Sequence, residues 1–257
     1  MDNWMRRFWS RETPRRETGL PQSANGASSL HLWWDLPVGD RFTAASVTLE
    51  ITQRPDVDRL VFFALQVAFI KPGGGGAHLG LQHNPRFPFN SAANWGGYDP
   101  HGGFLKGTES PLPSTPNDAN TRDFVWHAGA SYRLAVTRGE ERGDGWHAWE
   151  GTITDLGSGV ETVVRRLWSA GDFLRAPVVW TENFAPCDAD SFQARWSNAT
   201  VLTDDGKILP VSTMRTDYQA FAAGGCTNTD AAVEGSTFVQ TTAVERTTKP
   251  GAALTVT

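Results

Sequence analysis

The sequence lacks the features of nucleic-acid-binding and membrane-spanning proteins. Its 257 residues carry a formal net charge of −5 at pH 7, and the only basic cluster, between Arg6 and Arg16, is interrupted by Glu12. Nucleic-acid-binding domains normally present a basic face, so we expect no nucleic acid as a partner. The longest apolar run, Leu60–Ile70, contains Gln66 and is shorter than the roughly 18 residues of a membrane helix. We therefore expect no membrane insertion, and this run suits a buried strand.

Cysteine and metal-ligand motifs are also scarce. The chain has 2 cysteines, Cys187 and Cys226, and no C-x-x-C pair, which argues against a cysteine-based zinc site. The histidines show no metal-ligand spacing, so neither a metal nor a cofactor is predicted. The two cysteines can be free or bridged, and the sequence leaves this open. A bridge would imply an oxidising compartment, yet the N-terminus has no apolar signal-peptide stretch. The chain as written is expected in the cytoplasm, and an extracellular location is the alternative if the start is misplaced or trimmed.

Tryptophan, phenylalanine and glycine are abundant, with 11 Trp, 14 Phe and 26 Gly. Short segments rich in β-branched and aromatic residues alternate with Gly, Pro, Asn and Asp clusters, and no long segment has helical periodicity. This pattern is typical of an all-β sandwich or barrel. We predict a two-sheet antiparallel, jelly-roll-like (concanavalin A-like) sandwich. The predicted strands are 28–35, 43–52, 59–70, 77–82, 93–98, 123–127, 131–138, 146–156, 160–168, 176–184, 191–202, 209–219 and 231–245.

Composition divides the chain into three parts. Residues 1–27 are polar and rich in arginine, which predicts a disordered N-terminal tail. Residues 28–206 form the predicted sandwich domain. Residues 207–257 lack tryptophan and are predicted to form a C-terminal β segment packed on or appended to the sandwich.

Strand alternation identifies polar residues in aromatic company. Side chains of a strand point alternately to its two faces, so Trp149 and Ile153 are predicted in the core. Tryptophan on a polar face often marks a binding surface, and glycines at 96 and 97 let a ligand approach the backbone. The predicted ligand-binding residues are Gln82, Asn94, Trp95, Tyr98, Trp146 and Trp180. The candidate catalytic residues are Glu150 and Glu182, which could act as acid and base if their strands face one cleft.

Several segments together resemble a known group of proteins. They are GGAHLGLQ (75–82), GWHAWEGTITDLGSG (145–159), APVVWTENF (176–184), CDADSFQARWSN (187–198) and GGCTNTD (224–230). These motifs resemble uncharacterised actinobacterial proteins with a concanavalin A-like or laminin G-like β-sandwich domain. The resemblance implies a two-sheet sandwich and a carbohydrate-binding or cell-surface role. It brings no catalytic residues.

The sequence thus favours a ligand-binding sandwich that holds a carbohydrate or small molecule in a tryptophan-lined groove. One alternative is an enzyme on the same scaffold, a glycoside hydrolase or lyase or a cyclase-type isomerase, using Glu150 and Glu182 as acid and base. A second alternative is a structural surface protein whose tryptophans are all in the core. The oligomeric state is left open.

Overall fold

The computed structural model describes residues 14–37, 41–70 and 75–257, and its regular structure is almost entirely antiparallel β-strand. This confirms the all-β prediction. Across the described residues, no helix is long and apolar enough to span a membrane. The strands are β1 (Ser28–Trp34), β2 (Phe42–Ile51), β3 (Val61–Ile70), β4 (Gly76–His83), β5 (Ser91–Tyr98), β6 (Thr121–Asp123), β7 (Ser131–Glu141), β8 (His147–Asp155), β9 (Glu161–Ser169), β10 (Phe173–Asn183), β11 (Gln193–Thr203), β12 (Ile208–Pro210), β13 (Thr213–Tyr218), β14 (Thr229–Glu234), β15 (Thr237–Thr242) and β16 (Ala253–Thr255).

The strands form two layers that share one hydrophobic core. Sheet I has the order β16-β13-β1-β10-β3-β4-β5-β6, and sheet II has the order β14-β15-β11-β2-β7-β8-β9 with β12 beside β11. The two layers are joined through the pair Leu174 and Phe42. Across the core, the rings of Phe69 in β3 and Trp149 in β8 lie 5.3 Å apart. The arrangement is an all-β sandwich, and the jelly-roll character of its topology stays a prediction.

Alternating side chains explain why β3 is buried on both sides. Phe63, Leu65 and Val67 point into the shared core, as expected for every second residue of a strand. Phe62 and Ala64 point to the outer face of sheet I, where they belong to a second, separate apolar cluster. The predicted buried strand over 59–70 is therefore correct, and the second cluster is the reason for its nearly continuous hydrophobicity.

The C-terminal part of the chain completes both sheets. β13 pairs with β1 in sheet I, and β15 pairs with β11 in sheet II. Two predicted strands in this part of the chain need correction: the prediction 209–219 corresponds to the separate strands β12 and β13, and the prediction 231–245 corresponds to the hairpin of β14 and β15. A third correction concerns the edge of sheet I, where the predicted strand 123–127 is replaced by β6, which begins at Thr121. Glycine at 235, with φ +60°, supplies the turn of that hairpin.

The prediction of a disordered tail is wrong for residues 14–27, and residues 1–13 lie outside the described part of the chain. The backbone N–H of Arg16 donates to Thr227 Oγ1 at 2.9 Å, and Thr227 N–H donates back to the Arg16 carbonyl at 2.8 Å. Cys187 and Cys226 form a disulfide, with their Cα atoms 5.6 Å apart. Composition alone missed this segment because its contacts come from residues about 200 positions away.

The long loop between β5 and β6 closes one edge of the sandwich. Leu105 N–H donates to the Gly97 carbonyl on sheet I at 2.9 Å, and Trp168 N–H on sheet II donates to the Lys106 carbonyl at 2.8 Å. The buried Arg165 side chain donates to Asn120 Oδ1 at 3.1 Å. Because backbone groups of both sheet edges are paired with it, the loop protects edges that would otherwise be open to association.

Candidate functional site on the outer face of sheet I

Five aromatic rings cluster on the outer face of sheet I, and we call them the aromatic cluster. They are His31, Trp33, Phe62, His78 and Trp180. The Trp180 ring lies 4.9 Å from Phe62, 5.9 Å from His78 and 6.4 Å from His31, measured between ring centroids. His31 stacks on Trp33 at 6.1 Å. Phe62 and Trp180 are buried within this cluster, whereas Trp33 is exposed, so the Trp33 ring is the apolar surface that the cluster presents to solvent.

Strand register explains how the rings meet. Trp180 pairs with Ala64, and Ala64 pairs with Gly80, so the two residues next to the indole in β3 and β4 are small. Phe62 lies two residues from Ala64 on one side of the row that these three residues form, and His78 lies two residues from Gly80 on the other side. The rings of both residues approach the Trp180 ring. Glycine is required at position 80, because a Cβ there would overlap the Phe63 carbonyl. Small residues in one row therefore make room for large rings from the neighbouring rows.

Glu182 is the carboxyl group of this face. It lies beside Phe62 across the β10–β3 pair, two residues beyond Trp180. Its Oε1 accepts hydrogen bonds from Asn25 Nδ2 at 2.9 Å and from Ser29 Oγ at 3.4 Å. Burial raises the pKa of Glu182, and the two hydrogen bonds oppose that rise because they favour the carboxylate. The net result is a partly buried carboxyl group whose pKa lies above its ordinary value.

The two histidines of the aromatic cluster are held neutral by burial. Desolvation lowers the pKa of His78 to about 4, and it lowers the pKa of His31, against an opposing effect of the Asp217 carboxylate. At neutral pH both rings are therefore uncharged aromatic groups that still carry hydrogen-bonding nitrogens. Asp217 also accepts a bond from Trp33 Nε1 at 3.4 Å.

Polar groups with unused hydrogen-bonding capacity lie on the same face. Trp180 is only 6% exposed, and its buried Nε1 has no hydrogen-bond partner within the described residues. Asn94 donates through Nδ2 to Thr121 Oγ1, while its buried Oδ1 accepts no hydrogen bond from the described residues. Gln82 accepts through Oε1 from Asn84 Nδ2 at 2.8 Å. Unpaired buried polar atoms carry a desolvation cost, which a bound ligand could offset.

The structure separates the two glutamates that the sequence suggested as a pair. Glu150 lies on the outer face of sheet II, where its Oε2 accepts a 2.8 Å bond from Arg166 Nε. Its neighbour Trp149 points into the core. Glu182 points outward from sheet I, and packed sheets lie about 10 Å apart before outward side chains are added. The condition that their strands face one cleft is not met, so a joint acid–base mechanism for these two residues is excluded.

Other predicted site residues also divide between locations. Trp95 is a core residue, fully buried with its Nε1 donating to the Trp149 carbonyl at 3.1 Å, so its predicted ligand contact is corrected. Trp146 is 38% exposed, but it precedes β8 of sheet II. Tyr98 is 39% exposed at the end of β5. Only Gln82, Asn94, Trp180 and Glu182 share the outer face of sheet I close to the aromatic cluster.

Sequence reasoning missed several residues of this face. His31 and Trp33 alternate with the core residues Leu30, Leu32 and Trp34 in β1, and this alternation was a usable signal. Phe62 was hidden by the continuous apolar run of β3. Asn25 falls in the segment predicted as disordered, and no local pattern connects it to Glu182.

Within residues 14–37, 41–70 and 75–257, no group of three or more His, Cys, Asp or Glu side chains is placed to hold a metal ion.

The sequence matches no protein-family model and no curated protein. Three solved structures are similar in fold. A scytalido-glutamic peptidase with a peptide-based transition-state analogue is 14% identical, with a TM-score of 0.45. SCP-B, an eqolisin-family peptidase in complex with the tripeptide Ala-Ile-His, is 12% identical, with a TM-score of 0.46. A scytalido-glutamic peptidase with a transition-state analogue inhibitor is 12% identical, with a TM-score of 0.42. Each match covers 87% of this chain and 98% of the other.

Proposed function

We propose that the protein binds a carbohydrate on the outer face of sheet I, with the aromatic cluster as the platform and Glu182 as a hydrogen-bond acceptor. The observation that carries this proposal is the aromatic cluster itself, which lies outside the core and beside the Glu182 carboxyl group. Three of its rings lie next to Trp180, and Trp33 stacks on one of them. Sugars offer apolar C–H faces and many hydroxyls, so a sugar site combines rings with a few precisely placed polar groups.

The accessible part of the platform is Trp33. It is 36% exposed, whereas Trp180 is almost buried beneath its neighbours. In an oligosaccharide, one sugar ring would stack on the Trp33 indole beside Asp217. A hydroxyl of another sugar would bond to Glu182, which lies beside β1 four residues further along, about 14 Å from Trp33 in the plane of the sheet. An ionised carboxylate accepts hydrogen bonds and donates none, which suits a ligand rich in O–H donors.

The test compares two tryptophans of similar exposure. A glycan array identifies a ligand, and titration calorimetry then measures its affinity for Trp33→Ala and Trp146→Ala. We expect Trp33→Ala to weaken binding by about tenfold or more, because one stacked aromatic ring contributes roughly 1–3 kcal/mol. Trp146→Ala, on sheet II, should leave the affinity unchanged. An array without any binding, or equal losses for both variants, would reject the proposal.

A second candidate function is acid catalysis on the bound ligand by Glu182. The specific observation that favours it is the partly buried carboxyl group with a raised pKa, which is the property of a general acid. Asp217 would supply a second carboxylate on the same face, two strands away through β1 and two residues along it, or about 12 Å in the plane of the sheet. Catalysis predicts that the array ligand is cleaved, and that Glu182→Gln abolishes cleavage while binding remains measurable. If the ligand stays intact after prolonged incubation, the catalytic proposal is rejected and only the binding proposal remains.

A further inference from the structure

Hydrogen bonds at both ends of the carboxamide fix the side chain of Asn25, with its amide nitrogen facing Glu182. Its Oδ1 accepts a hydrogen bond from Ala27 N–H at 3.2 Å. It also lies 2.8 Å from Ser23 Oγ, whose single proton is shared with the Ala27 carbonyl at 2.6 Å. Asparagine commonly closes a local turn in this way through its side-chain oxygen. The remaining polar group, Nδ2, donates to Glu182 Oε1 at 2.9 Å. Both ends of the carboxamide are therefore committed, and its orientation is fixed.

The segment that carries Asn25 is held against the loop between β13 and β14. Gln22 N–H donates to the Gly224 carbonyl at 2.9 Å. Gly224 has φ +89°, and a Cβ at this position would overlap the backbone of Gln22 and Ser23. Arg16 donates to the carbonyl of Gly225 at 3.0 Å. This close approach leaves the segment little freedom to move as a unit.

Both halves of the disulfide also hold this segment. Cys187 N–H donates to the Gly19 carbonyl at 2.8 Å, and Cys226 N–H donates to Ser28 Oγ at 2.8 Å. The two cysteines therefore support residues on either side of Asn25. The bridge joins the loop that follows β10, the strand of Glu182, to the loop that precedes β14.

We propose that Asn25 is a positioning residue for Glu182 and that the Cys187–Cys226 bridge keeps it in place, so that the site depends on the redox state of the bridge. The importance of this for ligand binding rests on the proposed function, whereas the coupling between Asn25 and Glu182 does not. Disulfides persist in oxidising compartments and are opened in reducing ones. The arrangement therefore favours an ordered site under oxidising conditions.

Opening the bridge is a two-electron reaction. A dithiol reductant such as dithiothreitol attacks one sulfur as its thiolate, and the S–S bond breaks through a mixed disulfide. The second thiol of the reductant then displaces the other protein thiolate, which leaves two protein cysteines and the oxidised cyclic reductant. Protons from solvent complete the two thiols. Nothing else is consumed.

The first experiment isolates the Nδ2 donor from the local turn. Asn25→Asp keeps the oxygen that Ser23 and Ala27 bond to, but it replaces the donor with a carboxylate facing Glu182. Carbon-13 NMR then follows the titration of the Glu182 carboxyl group. We expect the proton affinity of Glu182 to rise by about threefold to tenfold, because a donor to the charged form is lost and a like charge is added. Asn198→Asp, which adds the same charge at an exposed position of sheet II, is the matched control and should change nothing.

Other titratable groups on this face also influence the titration of the Glu182 carboxyl group. His31 on β1, His78 on β4, and Arg215 and Asp217 on β13 all lie on the outer face of sheet I. None of them is altered by the variants, so their contribution is common to all curves. An unchanged Glu182 titration in Asn25→Asp would overturn the assignment of Asn25.

The second experiment tests the bridge. The same titration is recorded after reduction, and in the Cys187→Ser/Cys226→Ser double variant, with a dispersed amide spectrum as the proof of folding. We expect the Glu182 titration to shift in the same direction as in Asn25→Asp, but by less. A folded, reduced protein whose Glu182 titrates as in the oxidised protein would overturn the redox part. If the titration shifts as expected but no glycan binds, the coupling stands and the proposed function fails.

Discussion

The indole N–H of Trp95 donates a hydrogen bond to the carbonyl oxygen of Trp149, 3.1 Å away, and thereby joins sheet I to sheet II inside the core. Trp95 is on β5 and Trp149 is on β8, and both side chains are completely buried. The contact makes Trp95 a structural residue, although its sequence neighbours Asn94 and Gly96 face the opposite side of the sheet.

Replacing Trp95 with alanine should destabilise the fold. The change leaves a large cavity and removes the donor to the Trp149 carbonyl, and buried Trp-to-Ala changes cost about 3–5 kcal/mol. Urea denaturation followed by circular dichroism measures the free energy of unfolding. Trp33→Ala on the outer face is the comparison and should lower it by much less. A loss of under about 1 kcal/mol for Trp95→Ala would contradict its assignment to the core.

Alternation within strands was sufficient to predict the all-β class and the face of the strand on which several side chains lie. It assigned Trp149 and Ile153 to the core, and it separated Val179 and Thr181 from Val178 and Trp180, as the structure has them. These predictions succeeded because the side-chain period of a strand depends only on local geometry.

Alternation does not predict to which of the two sheets a strand belongs. Glu150 and Glu182 are both outward residues in aromatic-rich strands, but they belong to different sheets. Sheet membership depends on pairing between strands far apart in sequence, which no local pattern encodes. The link between Asn25 and Glu182 spans 157 positions and was hidden for the same reason.

Gly151 should tolerate no side chain. An added Cβ would lie 2.7 Å from Cγ of the Trp95 ring, which cannot move because it is packed on all sides. We expect Gly151→Ala to lower the free energy of unfolding by about 1–3 kcal/mol, the usual cost of overpacking. Gly157→Ala is the control, since that glycine is exposed and a Cβ would meet only the Asp155 carboxylate at 3.3 Å. Equal stability of the two variants in urea denaturation would show that the core around Trp95 is looser than described.

Glu150→Gln should have little effect on either stability or binding. Its partner Arg166 is 45% exposed, and exposed ion pairs contribute about 0–1 kcal/mol. The residue lies on the outer face of sheet II, so glycan affinity should be the same as in the unmodified protein. Calorimetric titration of Glu150→Gln beside Glu182→Gln makes the comparison. A tenfold loss of affinity in Glu150→Gln would place the ligand on sheet II instead.

Protonation of His78 should make the protein less stable in mild acid. Burial lowers its pKa from 6.5 to about 4 in the folded state, so between these pH values the unfolded chain binds more protons than the folded one. Stability is therefore complete above pH 6.5 and falls as the pH drops toward 4, below which this contribution no longer changes. His31 and His83, whose pKa values burial also lowers, act in the same direction. Urea denaturation at a series of pH values should give a shallower decline for His78→Gln than for the unmodified protein. Superimposable pH profiles would mean that the His78 imidazole is as accessible to protons in the folded protein as in the unfolded chain.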